Sequence, residues 1–98
     1  MDKTYTVTVT PDMEILIREL PEEEEKQLEH LKQLVGGYIE TIRSPRLNTL
    51  CIVNGEGKLL DLKPNMLATT ICGMLGFDVI YGNAVFCVED GEHIKGFT

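Results

Sequence analysis

The side chains of this 98-residue chain that could do chemistry are three cysteines, two histidines, one serine, a run of four glutamates and a scatter of loop asparagines. Nucleophilic catalysis needs a nucleophile, a base and a group that orients the base. Ser44 is wedged before Pro45, and no Gly-x-Ser-x-Gly elbow occurs. Cys51, Cys72 and Cys87, at spacings of 21 and 15, form neither a Cys-x-x-Cys pair nor a zinc-finger spacing. Each lies within an apolar run (Leu-Cys-Ile, Ile-Cys-Gly, Phe-Cys-Val), which reads as a buried thiol behaving as a small hydrophobe. Glu29-His30 lacks a second histidine four residues on, so the zinc-protease pattern is absent. His30 is expected on the exposed side of a helix, and His93 in a polar tail. Asn54–Lys58 lacks the Lys-Ser/Thr ending of a phosphate loop, and Gly36-Gly37 ends a helix instead of opening one. No catalytic residue, metal or cofactor is expected.

Two constellations remain. Glu22, Glu23, Glu24 and Glu25, with Glu29 one turn on, place carboxylates where a helix begins. They oppose the positive end of the helix dipole there, and they could also dock on a basic groove of another protein. The polar loop residues Asn54, Glu56, Asn65 and Asn83 are the candidates for a small-molecule pocket, although turn and cap chemistry accounts for all four.

The elements that would carry these residues follow from periodicity. Lys3–Thr10 alternates Tyr5, Val7 and Val9 against Thr4, Thr6, Thr8 and Thr10, which predicts a half-buried strand with a polar threonine face. After Pro11-Asp12, Met13–Leu20 resumes as a strand with Met13, Ile15 and Ile17 facing inward. Pro21 and the glutamates open a helix over Glu22–Val35, with Leu28, Leu31 and Val35 as its stripe and Gly36-Gly37 as a left-handed cap. Strands are expected at Tyr38–Arg43, Asn48–Val53 and Lys58–Leu62, the last two joined by a tight Asn-Gly turn. Asn65 caps a second helix reaching about Leu75, with Leu67, Ile71, Met74 and Leu75 on its buried face and Gly76 ending it. Gly82-Asn83 either folds Asp78–Val88 into a hairpin or bulges one long strand, and the single bulged strand is the preferred reading. The whole is one α+β domain over residues 1–98, with a mixed or antiparallel sheet of five to six strands, two helices, the order β-β-α-β-β-β-α-β and a polar tail from about residue 89.

Bulk properties narrow the partners. The net charge of −7 argues against direct nucleic-acid binding, which needs Lys and Arg against phosphates. Residues 1–37 hold nine acidic and four basic groups, and residues 77–98 hold four and one, so the acidity lies at the two ends. Unpaired cysteines fit a reducing compartment. With no apolar stretch near the ~20 residues of a bilayer span and no basic-then-apolar leader, a cytoplasmic location is expected, away from membranes.

Four segments carry a resemblance: Leu34-Val35-Gly36-Gly37-Tyr38-Ile39-Glu40, Ile52-Val53-Asn54-Gly55-Glu56-Gly57-Lys58, Lys63-Pro64-Asn65 and Gly82-Asn83-Ala84-Val85-Phe86. In this order, from about Val7 to Val88, the chain resembles a family of small phage and mobile-element proteins known only as a domain of unknown function. It departs from that pattern with Gly-Glu-Gly instead of Glu-Gly in the turn, and with Met66-Leu67-Ala68 where an arginine-rich helix start is expected. The resemblance implies a non-enzymatic accessory protein in a bacterial host, of the size that often acts as an anti-CRISPR-like, counter-defence inhibitor. Its partner would be a host protein such as a nucleic-acid enzyme with a basic surface. Two alternatives stand beside it: a protein that sequesters a nucleotide-like ligand, and a structural oligomer or homodimer joined through the Lys3–Thr10 strand edge.

Overall fold

The computed structural model describes residues 3–43, 49–73, 78–91 and 93–98. The fold is of the expected α+β class, with six strands in a single antiparallel sheet and two helices among the described residues. In chain order the elements are β1 (Tyr5–Val9), β2 (Ile15–Glu19), α1 (Glu24–Val35), β3 (Ile39–Arg43), β4 (Thr49–Asn54), α2 (Met66–Ile71), β5 (Ala84–Asp90) and β6 (His93–Lys95). The sheet runs β2-β1-β5-β4-β3, and β6 pairs with the far half of β5 beyond the end of β1. An isolated Tyr5–Phe97 bridge joins the start of β1 to the residues after β6.

Both faces of the sheet are covered, and alternation along the central strands sorts side chains between them. Leu50 and Ile52 of β4 and Val85 and Cys87 of β5 meet Leu31 and Val35 of α1. On the opposite face Cys51, Val53, Ala84 and Phe86 join Val9 of β1, Ala68 and Cys72 of the α2 region, and Ile80. A strand buried on both sides reads as a continuous apolar run, which is why Leu50–Val53 shows no alternation.

Several expectations change. The threonine face of β1 is not solvated: Thr6 and Thr8 are fully buried, because α1 lies over that side. Thr6 is hydrogen-bonded to His30 of α1 at 3.1 Å, while the Thr8 hydroxyl is buried with no partner among the described residues. Nor is β1 an edge, since β2 and β5 flank it, and so self-association through Lys3–Thr10 has no free backbone to use. Met13, Ile15 and Ile17 do not face inward. Ile15 and Ile17 pair with Val9 and Val7 and share their face, but cover does not extend to the outermost strand, and the two remain 59% and 60% exposed.

Lys58–Leu62 is a series of turns, not a strand. β4 already has β3 on one edge and β5 on the other, so a hairpin partner following Asn54 has no place to pair. The sixth strand instead comes from the residues read as a polar tail, where the Gly91 turn returns His93–Lys95 along β5. Residues 80–82 are neither hairpin nor bulge. They lie against 63–65, where the Ile80 carbonyl accepts from the Asn65 amide and the Lys63 carbonyl from the Gly82 amide, and β5 begins only at Ala84.

Helix α1 starts at Glu24, two residues after the expected Glu22, and ends at Gly36 with φ +80° as expected for a left-handed cap. Leu31 and Val35 are buried, but Leu28 is largely exposed. Helix α2 is short. Asn65 caps it as expected, yet its buried residues are Ala68, Thr69 and Cys72, with Leu67 partly covered and Ile71 half exposed. Gly73, at φ +70°, follows its end. The expected contributions of Met74, Leu75 and Gly76 fall outside the described residues. No helix among the described residues is long and apolar enough to cross a membrane.

Candidate functional site

The start of α1 is built by backbone, not by a side-chain cap. Glu23 takes the N-cap position with extended geometry and no capping bond, while Gln27 Nε2 reaches back to donate to the Pro21 carbonyl at 2.8 Å. The carboxylates of Glu22–Glu25 are therefore left to solvent, and all four residues are exposed, as is Glu29. Glu23 lies 3.7 Å from Lys26, and Glu24 lies 2.5 Å from His93 Nδ1. Both pairs are solvent-facing and contribute little to stability. Glu22, Glu25 and Glu29 have no ion-pair partner among the described residues.

Beside this acidic turn is a cleft of about 310 Å³ between α1 and β6, lined by Glu24, Leu28, Leu31, Ile39, His93 and Ile94. Its floor is apolar and its rim carries Glu24, with the other glutamates of the turn adjoining in sequence. Sequence reasoning found the glutamates but not the cleft, because the opposing wall comes from residues read as a tail. The available signal was the Gly91 turn followed by His93-Ile94-Lys95, a polar-apolar-polar alternation too short to stand out. Chemically the arrangement suits a lysine or arginine, whose aliphatic stem covers apolar surface while its charged head meets carboxylates.

The four loop residues proposed as a ligand pocket do not line one cleft, and the side chains of the three asparagines serve the fold. Asn54 Nδ2 donates to the Val35 carbonyl and its Oδ1 accepts from the Glu56 amide. Asn83 Nδ2 donates to the Leu34 carbonyl at 2.9 Å. Asn65 is fully buried: its Nδ2 donates to the carbonyls of Val9 and Gly82, and its Oδ1 accepts from the Ala68 amide. Asn54 and Glu56 do border a second cleft, of about 230 Å³, with Glu40, Lys58, Asp78 and Tyr81. The strongest contact there is internal. Lys58 Nζ lies 2.5 Å from Asp78, and its hydrogen bond, followed by that of the Val79 amide, holds the Asp78 carboxyl below its ordinary range.

The three thiols are buried, as their surroundings in sequence implied. Cys51 is pushed up first by its hydrogen bond with the Cys72 thiol and then by burial. Accepting that bond draws Cys72 down. Burial alone raises Cys87 to about 11. Among the described residues no group of three His, Cys, Asp or Glu side chains is placed to hold a metal ion.

His30 is not on the solvent side of α1 but half-buried against β1, on Thr6. Burial first, and the Arg18 charge second, lower its pKa below 6.5. The folded state thus favours the neutral ring. Its contribution to stability is complete above the unfolded value of about 6.5 and is lost as pH falls towards the folded pKa, because the unfolded chain takes up the proton first. Urea unfolding at pH 7.5 and at pH 5.5 should therefore show a steeper loss on acidification for the wild type than for His30→Gln. Parallel losses, or a folded-state titration of His30 above 6.5 by NMR, would contradict this reading.

Fold and site together define a small acidic α+β protein whose central strands are covered on both faces and whose first helix carries an exposed acidic turn beside an apolar-floored cleft. The chain belongs to the family described as Domain of unknown function (DUF3846), whose pattern matches residues 4–98. No curated protein and no solved structure matches it.

Proposed function

We propose that the chain is a non-catalytic binding protein that docks the acidic start of α1 on a basic surface of another protein. The observation that carries this reading is that Glu24, within the exposed run Glu22–Glu25, borders the apolar-floored cleft at Leu28, Leu31 and Ile94. A purely solubilising charge run needs no such cleft, whereas a partner's lysine or arginine uses both parts. Enzymes that act on nucleic acids present basic grooves of this kind, because they must meet phosphates. In the phage and mobile-element setting implied by the resemblance, the chain acts stoichiometrically as a counter-defence inhibitor of such a host enzyme. Mimicry of a whole duplex fits less well, since DNA presents a charge about every 1.7 Å along its axis and this acidity is gathered at one helix turn.

The test is to replace Glu22, Glu23, Glu24 and Glu25 together by glutamine. Immobilised wild-type and variant chains are exposed to bacterial lysate, and the captured protein is then titrated against both at low and moderate salt. Affinity should fall roughly tenfold or more at low salt, and its salt dependence should flatten, because screened attraction is what added salt removes. A folded variant with unchanged affinity and unchanged salt slope would leave these residues as solubilising surface and nothing more.

A further inference from the structure

The open edge of the sheet at β2 is self-complementary, and we infer that it pairs with the same edge of a second copy of this chain. Among the described residues β2 is the terminal strand, with β1 on one side only. Its hydrogen-bonding phase is fixed at both ends: the Thr10 amide donates to the Glu14 carbonyl, and the Leu20 amide to the Thr4 carbonyl. In an antiparallel ladder alternate residues bond the same neighbour, so Glu14, Leu16, Arg18 and Leu20 face β1. The backbone groups of Ile15, Ile17 and Glu19 therefore point outward. One of them is already blunted, because the Arg18 guanidinium donates to the Ile17 carbonyl at 3.0 Å.

The occupant follows from the sequence Glu14-Ile15-Leu16-Ile17-Arg18. A two-fold axis at Leu16 sets Glu14 opposite Arg18 of the second copy, Ile15 opposite its Ile17, and Leu16 opposite its Leu16. Three requirements are met in this single register. Ile15 and Ile17 are the residues whose backbone groups point outward, so they exchange both ladder bonds. Opposed residues share a face, so the two exposed isoleucines of each copy form one apolar cluster. Each Glu14 meets an Arg18, giving two cross-strand pairs of opposite charge. Shifting the register by two residues keeps the backbone phase but sets Arg18 against Leu16, or Leu16 against Glu14, and loses both charge pairs. On pairing, Arg18 exchanges the Ile17 carbonyl of its own chain for the carboxylate of the other, which uncovers that carbonyl for the new ladder. The contact stands apart from the acidic start of α1 and does not depend on how that site is used.

The experiment is mass measurement by sedimentation equilibrium from about 10 μM to about 1 mM, a range over which mass action resolves a weak dimer. The wild-type chain is expected to pass from monomer to dimer. Ile17→Pro removes an outward amide while sparing the bonds to β1, and it should stay monomeric. Glu14→Arg or Arg18→Glu alone sets like charges opposite each other and should weaken the dimer roughly tenfold, and the double exchange should restore it. Leu16→Cys should cross-link to a disulfide dimer under mild oxidation, since its partner across the axis is itself. Should Ile17→Pro fail to fold, the charge exchange and the cross-link still decide. A wild-type chain monomeric throughout the range, or a dimer that persists in Ile17→Pro, overturns the proposal. So does a double exchange that does not recover what each single exchange loses.

Discussion

Asn65→Ala is expected to lower the unfolding free energy by about 3–5 kcal/mol, a large share of the roughly 5–15 kcal/mol that holds a domain folded. The residue is fully buried and makes three side-chain bonds that join three parts of the chain. Its Nδ2 holds the Val9 carbonyl of β1 at 2.8 Å and the Gly82 carbonyl before β5 at 2.9 Å, while its Oδ1 caps α2 through Ala68 at 3.1 Å. Losing the cap costs about 1 kcal/mol, and leaving buried carbonyls unpaired costs about 1–3 kcal/mol each. Asn65→Asp separates these contributions, because it keeps a capping oxygen and removes both donors. It should be at least as damaging as alanine, since a carboxylate then faces two carbonyls. Urea unfolding of the two variants checks this. An aspartate variant near wild-type stability would mean that the cap alone matters and that the two carbonyl bonds are dispensable.

Leu31→Ala should cost about 2–5 kcal/mol, the range for truncating a large buried side chain. Leu31 is 3% exposed and packs with Val35, Leu50, Ile52, Val85 and Cys87. The hole it leaves lies under the middle of α1, where the sheet cannot rise to fill it. Leu28, one turn earlier, supplies the contrast. It is 43% exposed, and Leu28→Ala should cost under about 1 kcal/mol, as surface changes do. Because Leu28 lines the cleft beside the acidic turn, its truncation should weaken docking of a basic partner while leaving the melting temperature nearly unchanged. Equal losses of stability at the two positions would mean that α1 is seated on the sheet differently from the structure described above.

Local physics was legible in the residues themselves. The alternation of Lys3–Thr10, the glycine cap at Gly36, the Asn65 cap and the burial of all three thiols each follow from one short segment and its own chemistry. For the same reason the charge map and the acidic start of α1 were visible, since carboxylates beside a helix start need no distant partner to be recognised. What failed were the expectations for segments whose cover is set by a neighbour distant in sequence, although Leu31, Val35 and the thiols are buried as expected. Met13, Ile15 and Ile17 carry the pattern of a buried face, yet they lie exposed because the cover ends at β1. Thr6 and Thr8 carry the pattern of a wet face, yet they lie on the side of the sheet that α1 covers, Thr6 against His30 and Thr8 beside Val85. Lys58–Leu62 resembles a strand, yet both edges of β4 were already taken. His93-Ile94-Lys95 is too short to be a strand alone and becomes one by pairing with β5, which in turn makes the cleft. Periodicity within a segment states which side chains share a face. Only the packing of segments distant in sequence states whether that face meets protein or water, because burial is a property of the neighbour as much as of the residue.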